Sequence, residues 1–198
     1  EWSTMAQSVL GAKQTDCPLC SSSKAERLVN DHLTTEHATF TREWRDASCR
    51  DKNPLPFDIF IEKWTACIVH FILELDGRQH FDDWQVGPVA FALNRAHDLH
   101  KMRWALARGT PVVRLASRTV NYFSRDTWQR WLSQVRDERI TPLASHPKEA
   151  RKLIVLEDTP RYRTMYDECI RDDTELGPYV VWQGHDPTMV ASHARGIV

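Results

Sequence analysis

The sequence predicts an α/β fold, a central sheet flanked by helices. Short β-branched and aromatic segments alternate along the chain with segments of helical periodicity. The helical segments carry recognisable start and stop residues, and 41% hydrophobic content in 198 residues is enough for one substantial core. The first helix starts after Ser21-Ser22-Ser23, where a serine side chain can accept from the open amides and Glu26 lies near the positive end of the helix. Ala25, Leu28, Val29 and Leu33 then recur at helical spacing. Pro54 and Pro56 break the chain before a short strand at 57–61. Residues 65–76 read as a central strand, ended by Asp76-Gly77.

A second helix is expected over 89–108, with Ala92, Leu99, Met102 and Leu106 as its apolar stripe and Gly109 closing it. A strand follows at 111–116. Next comes an amphipathic helix at 126–138 with Trp128, Trp131, Leu132 and Val135 on one face. Strands at 152–156 and 179–182 flank a helix near 162–170. Residues 1–22 form a tail carrying a Cys-x-x-Cys knuckle, and 23–198 form the main domain.

Net charge is -1, so the whole molecule is no generic polyanion binder. Between 95 and 139, however, ten Lys/Arg face four acids, a net of +6. That excess fits a phosphate-binding footprint and equally a solvated helical surface. Five cysteines, an odd number, do not form a disulfide framework, which points to a reducing, intracellular compartment, whether cytoplasm, nucleus or a virus-infected host cell. The longest apolar run, 66–73, is interrupted by His70 and far too short to span a bilayer, so no membrane partner is expected.

The chemistry concentrates in Leu73-Glu74-Leu75-Asp76-Gly77-Arg78-Gln79-His80-Phe81. Strand side chains alternate, so Glu74 and Asp76 share a face. Two acids together at the end of an apolar strand repel each other and lose hydration unless a cation compensates. Asp58 supplies a third carboxylate if its strand pairs with theirs, and such hard oxygen donors suit magnesium or manganese. The competing reading is a strand emerging into solvent through an ordinary Asp-Gly turn.

The string ELDGRQHF, preceded by LPFDIFI and followed by HDLHKMRWALARGTPVVRLA, resembles the PD-(D/E)XK nuclease superfamily. Within it the likeness is to the branch of very-short-patch-repair endonucleases and phage and large-virus homing-type nucleases. The match spans about Cys17 to Ala116. It implies a restriction-endonuclease-like mixed central sheet flanked by helices, with a small N-terminal zinc-knuckle element. It also implies a magnesium- or manganese-dependent endonuclease that hydrolyses phosphodiester bonds, with DNA as partner in preference to RNA.

The resemblance makes Asp58 the motif aspartate, Glu74 the acid of the (D/E)-x-K element and Glu26 the acid of the first helix. Asp76 departs from the pattern by standing where the motif lysine belongs. Lys101, on the following helix, is the expected replacement, with Asp98 three residues before it to hold its side chain. Gln79 and His80 are expected to line the same cleft. The divalent cation is expected on Asp58, Glu74 and the Leu75 carbonyl. Taken alone, Asp98 and Lys101 read as a surface ion pair, and His80 as a structural histidine.

Cys17-x-x-Cys20 followed by His32 and His37 offers a tetrahedral zinc set, with the two cysteines its firmest members. Cys49, Cys67 and Cys169 are isolated and read as buried apolar residues. Most of the eight tryptophans are expected in the core, Trp84 being the one placed to meet a nucleobase. Two other functions stay open: a non-catalytic nucleic-acid-binding zinc module, and an RNA-cleaving nuclease of the same fold.

Overall fold

The computed structural model describes residues 23–185, except 66, 84, 85 and 172 and the side chains of 168, 169 and 171. A single six-stranded mixed sheet runs through it in the order β1-β2-β3-β4-β5-β6. Helix α1 (Lys24–Thr35) precedes an antiparallel meander of β1 (Thr39–Arg50), β2 (Pro54–Lys63) and β3 (Phe71–Asp76). Helix α2 (Gly87–Ala107) crosses to β4 (Val112–Ala116), which runs parallel to β3. Helices α3 (Ser117–Tyr122) and α4 (Arg125–Val135) lead to β5 (Ile154–Glu157), and α5 (Pro160–Arg171) connects β5 to β6 (Val180–Gln183), both pairings parallel. Among the described residues, no helix is long and apolar enough to cross a membrane.

The helices cover both faces of the sheet because the strand side chains alternate. Phe71, Leu73 and Leu75 join Ala25, Val29 and Leu33 of α1 and Trp128, Trp131, Leu132 and Val135 of α4 in one core layer. Ile72 points to the other layer, with Met102, Ala105 and Leu106 of α2 and Tyr162, Met165 and Tyr166 of α5. Glu74 and Asp76 follow Ile72 on that second face and are buried there. Cys49 and Cys67 are buried as expected.

Local signals explain the element ends. Ser23 and Glu26 form a reciprocal capping box, the Ser23 hydroxyl accepting from the Glu26 amide and the Glu26 carboxylate accepting from the Ser23 amide, both at 3.2 Å. Gly109, at φ 62°, ends α2, and a side chain there would collide with the Lys148 carbonyl.

Three expectations need correction. The central strand begins at Phe71 rather than at 65, because Trp64 and Cys67 exchange backbone hydrogen bonds across a tight turn with Thr65 at φ 51°. The apolar stripe of α2 holds only in its C-terminal half: Met102 and Leu106 are buried, Ala92 is exposed, and the buried face also carries Asp98 and Lys101. Residues 39–50, to which the sequence pattern assigned no element, form a twelve-residue strand. It is an edge strand with one face in solvent, so its alternating residues are largely polar.

Candidate active site

Antiparallel pairing of β2 with β3 and parallel pairing of β3 with β4 bring three charged positions to one end of the sheet. Asp58 lies one residue beyond the Ile59–Leu73 pair, and its Oδ2 accepts from the Leu75 amide at 2.7 Å. Glu74 is paired in register with Arg114, and Asp76 with Ala116. Lys101 descends from α2 and places Nζ 2.6 Å from Glu74 Oε1 and 5.0 Å from the Phe57 ring centroid.

Glu74 therefore faces a lysine, although the residue two positions on is an aspartate. Asp76 is occupied otherwise. Its two oxygens accept from Arg114 Nε at 2.8 Å and Nη2 at 2.5 Å, and Oδ2 also accepts from the Tyr162 hydroxyl at 2.6 Å. Arg114 Nη2 reaches Asp98 as well, at 2.9 Å. Asp98 in turn meets His80 Nδ1 at 2.8 Å and accepts from the Tyr166 hydroxyl at 3.3 Å.

Two expectations change here. Asp98 and Lys101 are both buried, so they form no surface pair, and Asp98 holds Arg114 and His80 while Lys101 is held by Glu74. His80 turns inward to Asp98, whereas its neighbour Gln79 lines the cleft.

The electrostatics separate two groups. Asp76, Asp98, Arg114 and His80 form a closed network of two acids and two bases. Burial opposes the His80 charge, but Asp76 and Asp98 outweigh it and raise its pKa. Burial likewise opposes ionised Asp98, yet Arg114 and His80 bring its pKa down. Asp76, His80 and Asp98 bring their donor atoms within 4.8 Å of one another, a spacing that suits a metal ion. Arg114 already holds both of these carboxylates, so the trio is balanced from within.

The second group is not balanced. Burial pushes Glu74 up to about 7, the Asp58 charge adding to it and Lys101 opposing it. Burial also raises Asp58, opposed by Lys101 and the Leu75 amide. Burial works against the Lys101 charge, but Glu74, Asp58 and Asp98 outweigh it and its pKa rises. The Glu26 carboxylate adds to the negative field on Asp58. When ionised, Asp58, Glu74 and Glu26 exceed the single Lys101 ammonium by two negative charges, and oxygen donors with such a surplus fit a hard divalent cation, whose binding would in turn favour their ionised forms.

A cleft of about 590 Å³ opens at the end of β3, lined by Glu26, Leu75, Asp76, Gln79, Arg118 and Arg161 among others. The Leu75 carbonyl lies at its wall and accepts from the Ser117 hydroxyl at 3.1 Å. The basic stretch 95–139 forms no single face. Lys101 and Arg114 are buried in the site, Arg103 pairs with Asp173, and Arg108 contacts Ser48 and Trp104. Arg78 and Arg161, from outside that stretch, share the cleft with Arg118.

Arg114, Tyr162 and Tyr166 received no role from sequence, although an arginine amid Val112, Val113, Leu115 and Ala116 was a usable signal. A strand buried along its whole length has room for a guanidinium only where acids meet it. Of the zinc set, Cys17 and Cys20 lie outside the described residues, as does Trp84. His32 is buried edge-on between the rings of Trp64 and Trp128, whereas His37 is exposed in a left-handed turn.

The raised Glu74 makes stability depend on pH. The unfolded chain releases this proton near the ordinary value of 4.5, while the folded protein keeps it to about 7. The stabilising contribution is therefore complete below pH 4.5 and is lost as pH rises towards 7. In chelator, the urea midpoint of the wild type should fall relative to Glu74→Gln across that window. A difference independent of pH would show that Glu74 is ionised throughout.

No protein-family model, no curated protein and no solved structure matches the chain.

Proposed function

We propose that the protein is a magnesium- or manganese-dependent endonuclease with a restriction-endonuclease-like sheet, hydrolysing phosphodiester bonds in DNA. The observation that carries this reading is the 2.6 Å contact between Lys101 and Glu74. A nuclease of the resembled type needs an acid and a cation side by side, and here the cation arrives from α2 while Asp76 is used to lock Arg114. The mixed sheet flanked by helices supports the same reading.

Asp58 and Glu74 would hold the ion, beside the Leu75 carbonyl. Bound there, its chemistry is to neutralise the scissile phosphate and acidify an attacking water. Lys101 supplies a fixed positive charge for the oxygens of the pentavalent transition state, and its burial makes that charge worth more than it would be in water. Glu74 holds the Lys101 side chain in place, so the ammonium needs little reorganisation as charge develops. The Asp76–Arg114–Asp98–His80 network fixes the end of β3 against β4 and α2, and thereby the position of Glu74 between its anchored neighbours.

The test is incubation of the purified protein with plasmid, single-stranded DNA and RNA, in manganese and in chelator. Cleavage of DNA in manganese alone is expected, reduced at least about a hundredfold in Asp58→Asn and Glu74→Gln. Cleavage that survives chelator, or that both variants retain at the wild-type rate, removes the proposal.

A further inference from the structure

We propose that the cleft at the end of β3, walled by Glu26, Leu75 and Asp76, binds an unpaired DNA strand, with Tyr122 as the platform for one base and Arg118 and Arg161 as contacts to the flanking phosphates. This rests on the nuclease reading and names its substrate as single-stranded or locally opened DNA.

Tyr122 is the last residue of α3 and lines the cleft, with 76% of its surface exposed. Its interior counterparts Tyr162 and Tyr166 are completely buried and hydrogen-bonded to Asp76 and Asp98. An aromatic ring left this open at the wall of a charged cleft gains by being covered. Arg118, one helical turn earlier on the same face of α3, brings its guanidinium to 6.0 Å from the Tyr122 ring centroid. Arg161, which also lines the cleft, lies 5.6 Å from the Phe81 ring centroid. Neither arginine has a carboxylate partner among the described residues. Two cations and one open ring beside a carboxylate floor form a surface for phosphates alternating with a flat apolar group.

The same geometry argues against an intact duplex. Paired bases present only their edges, and a π face becomes available once a base leaves the stack. The volume of about 590 Å³ is that of a small-ligand cleft, which suits one or two nucleotides of an extended strand. Gln79, also on the cleft wall, offers an amide to the edge of such a base.

The experiment is fluorescence anisotropy in chelator, where binding is read without cleavage. The probes are an oligothymidylate of about twelve nucleotides, an abasic strand of the same length and the corresponding duplex. The wild type should bind oligothymidylate about tenfold more tightly than the abasic strand, and Tyr122→Ala should abolish that difference while Tyr122→Phe keeps it. Arg118→Ala and Arg161→Ala should weaken both single strands alike, each reducing the log–log salt slope by about 0.7. Equal wild-type affinity for the thymidylate and abasic strands, or a Tyr122→Ala variant that still prefers thymidylate, overturns the stacking site. Cleavage in manganese is scored separately. Base-dependent binding without cleavage upholds the strand site and removes the nuclease reading, and cleavage without Tyr122 dependence does the reverse.

Discussion

Replacing Lys101 by methionine is expected to slow single-turnover cleavage of DNA by at least about a hundredfold, the effect of losing one preorganised electrostatic group. The loss should exceed that of any surface lysine because Nζ is buried 2.6 Å from Glu74, and the neighbouring buried cation, Arg114, is held by Asp76 and Asp98. Without the ammonium, Glu74 loses the charge that opposes its already raised pKa, and at neutral pH it takes up a proton. The variant thus loses two functions together, the positive charge for the transition state and the negative charge for the cation. A surface ion pair, the reading that spacing alone gives Lys101, would leave the fold indifferent to this change. A buried pair broken on one side costs ~3–5 kcal/mol, less where the abandoned acid can protonate, so a measurable fall in the urea midpoint is now expected. The double variant Lys101→Met/Glu74→Gln should recover much of that stability and none of the activity. Cleavage by Lys101→Met at the wild-type rate would falsify the catalytic assignment.

The largest effect on stability is expected at Arg114. Arg114→Leu removes the guanidinium that contacts both Asp76 and Asp98, leaving two buried carboxylates with His80 as the remaining cation between them and the Tyr162 and Tyr166 hydroxyls as their other donors. At ~3–5 kcal/mol for a single broken pair, against a total of roughly 5–15 kcal/mol for a domain, a large share of the stability should be lost and the urea midpoint should fall steeply. Arg114→Lys should not rescue it. A single ammonium cannot reproduce the paired bonds from Nε and Nη2 to Asp76 while also reaching Asp98. Replacing all three residues, as Asp76→Asn/Asp98→Asn/Arg114→Leu, should be better tolerated than Arg114→Leu alone, because no buried charge is then left without a partner. Urea denaturation followed by tryptophan fluorescence reads all of these, and an Arg114→Leu midpoint equal to the wild type would show that the network contributes nothing to stability.

The sequence by itself determined the elements whose information is local. The capping box at Ser23 and Glu26, the glycine stop at Gly109 and the apolar face of α4 were legible because each is a pattern within a few neighbouring residues. The acids Glu74 and Asp76 were legible for the same reason, since two carboxylates in a strand otherwise apolar are costly wherever that strand lies. Strand β1 was not, because an edge strand with a solvent face lacks the apolar run that marks a central one. Only the tertiary structure decided which acid meets which base. From spacing, Asp98 was the natural partner of Lys101, being on the same helix three residues away. The parallel register of β3 on β4 instead set Arg114 beside Glu74 and within reach of Asp76 and Asp98, and that left Lys101 to Glu74. Side-chain periodicity says which face a residue takes, but strand register and helix docking decide its partner, and these follow from packing the whole core at once.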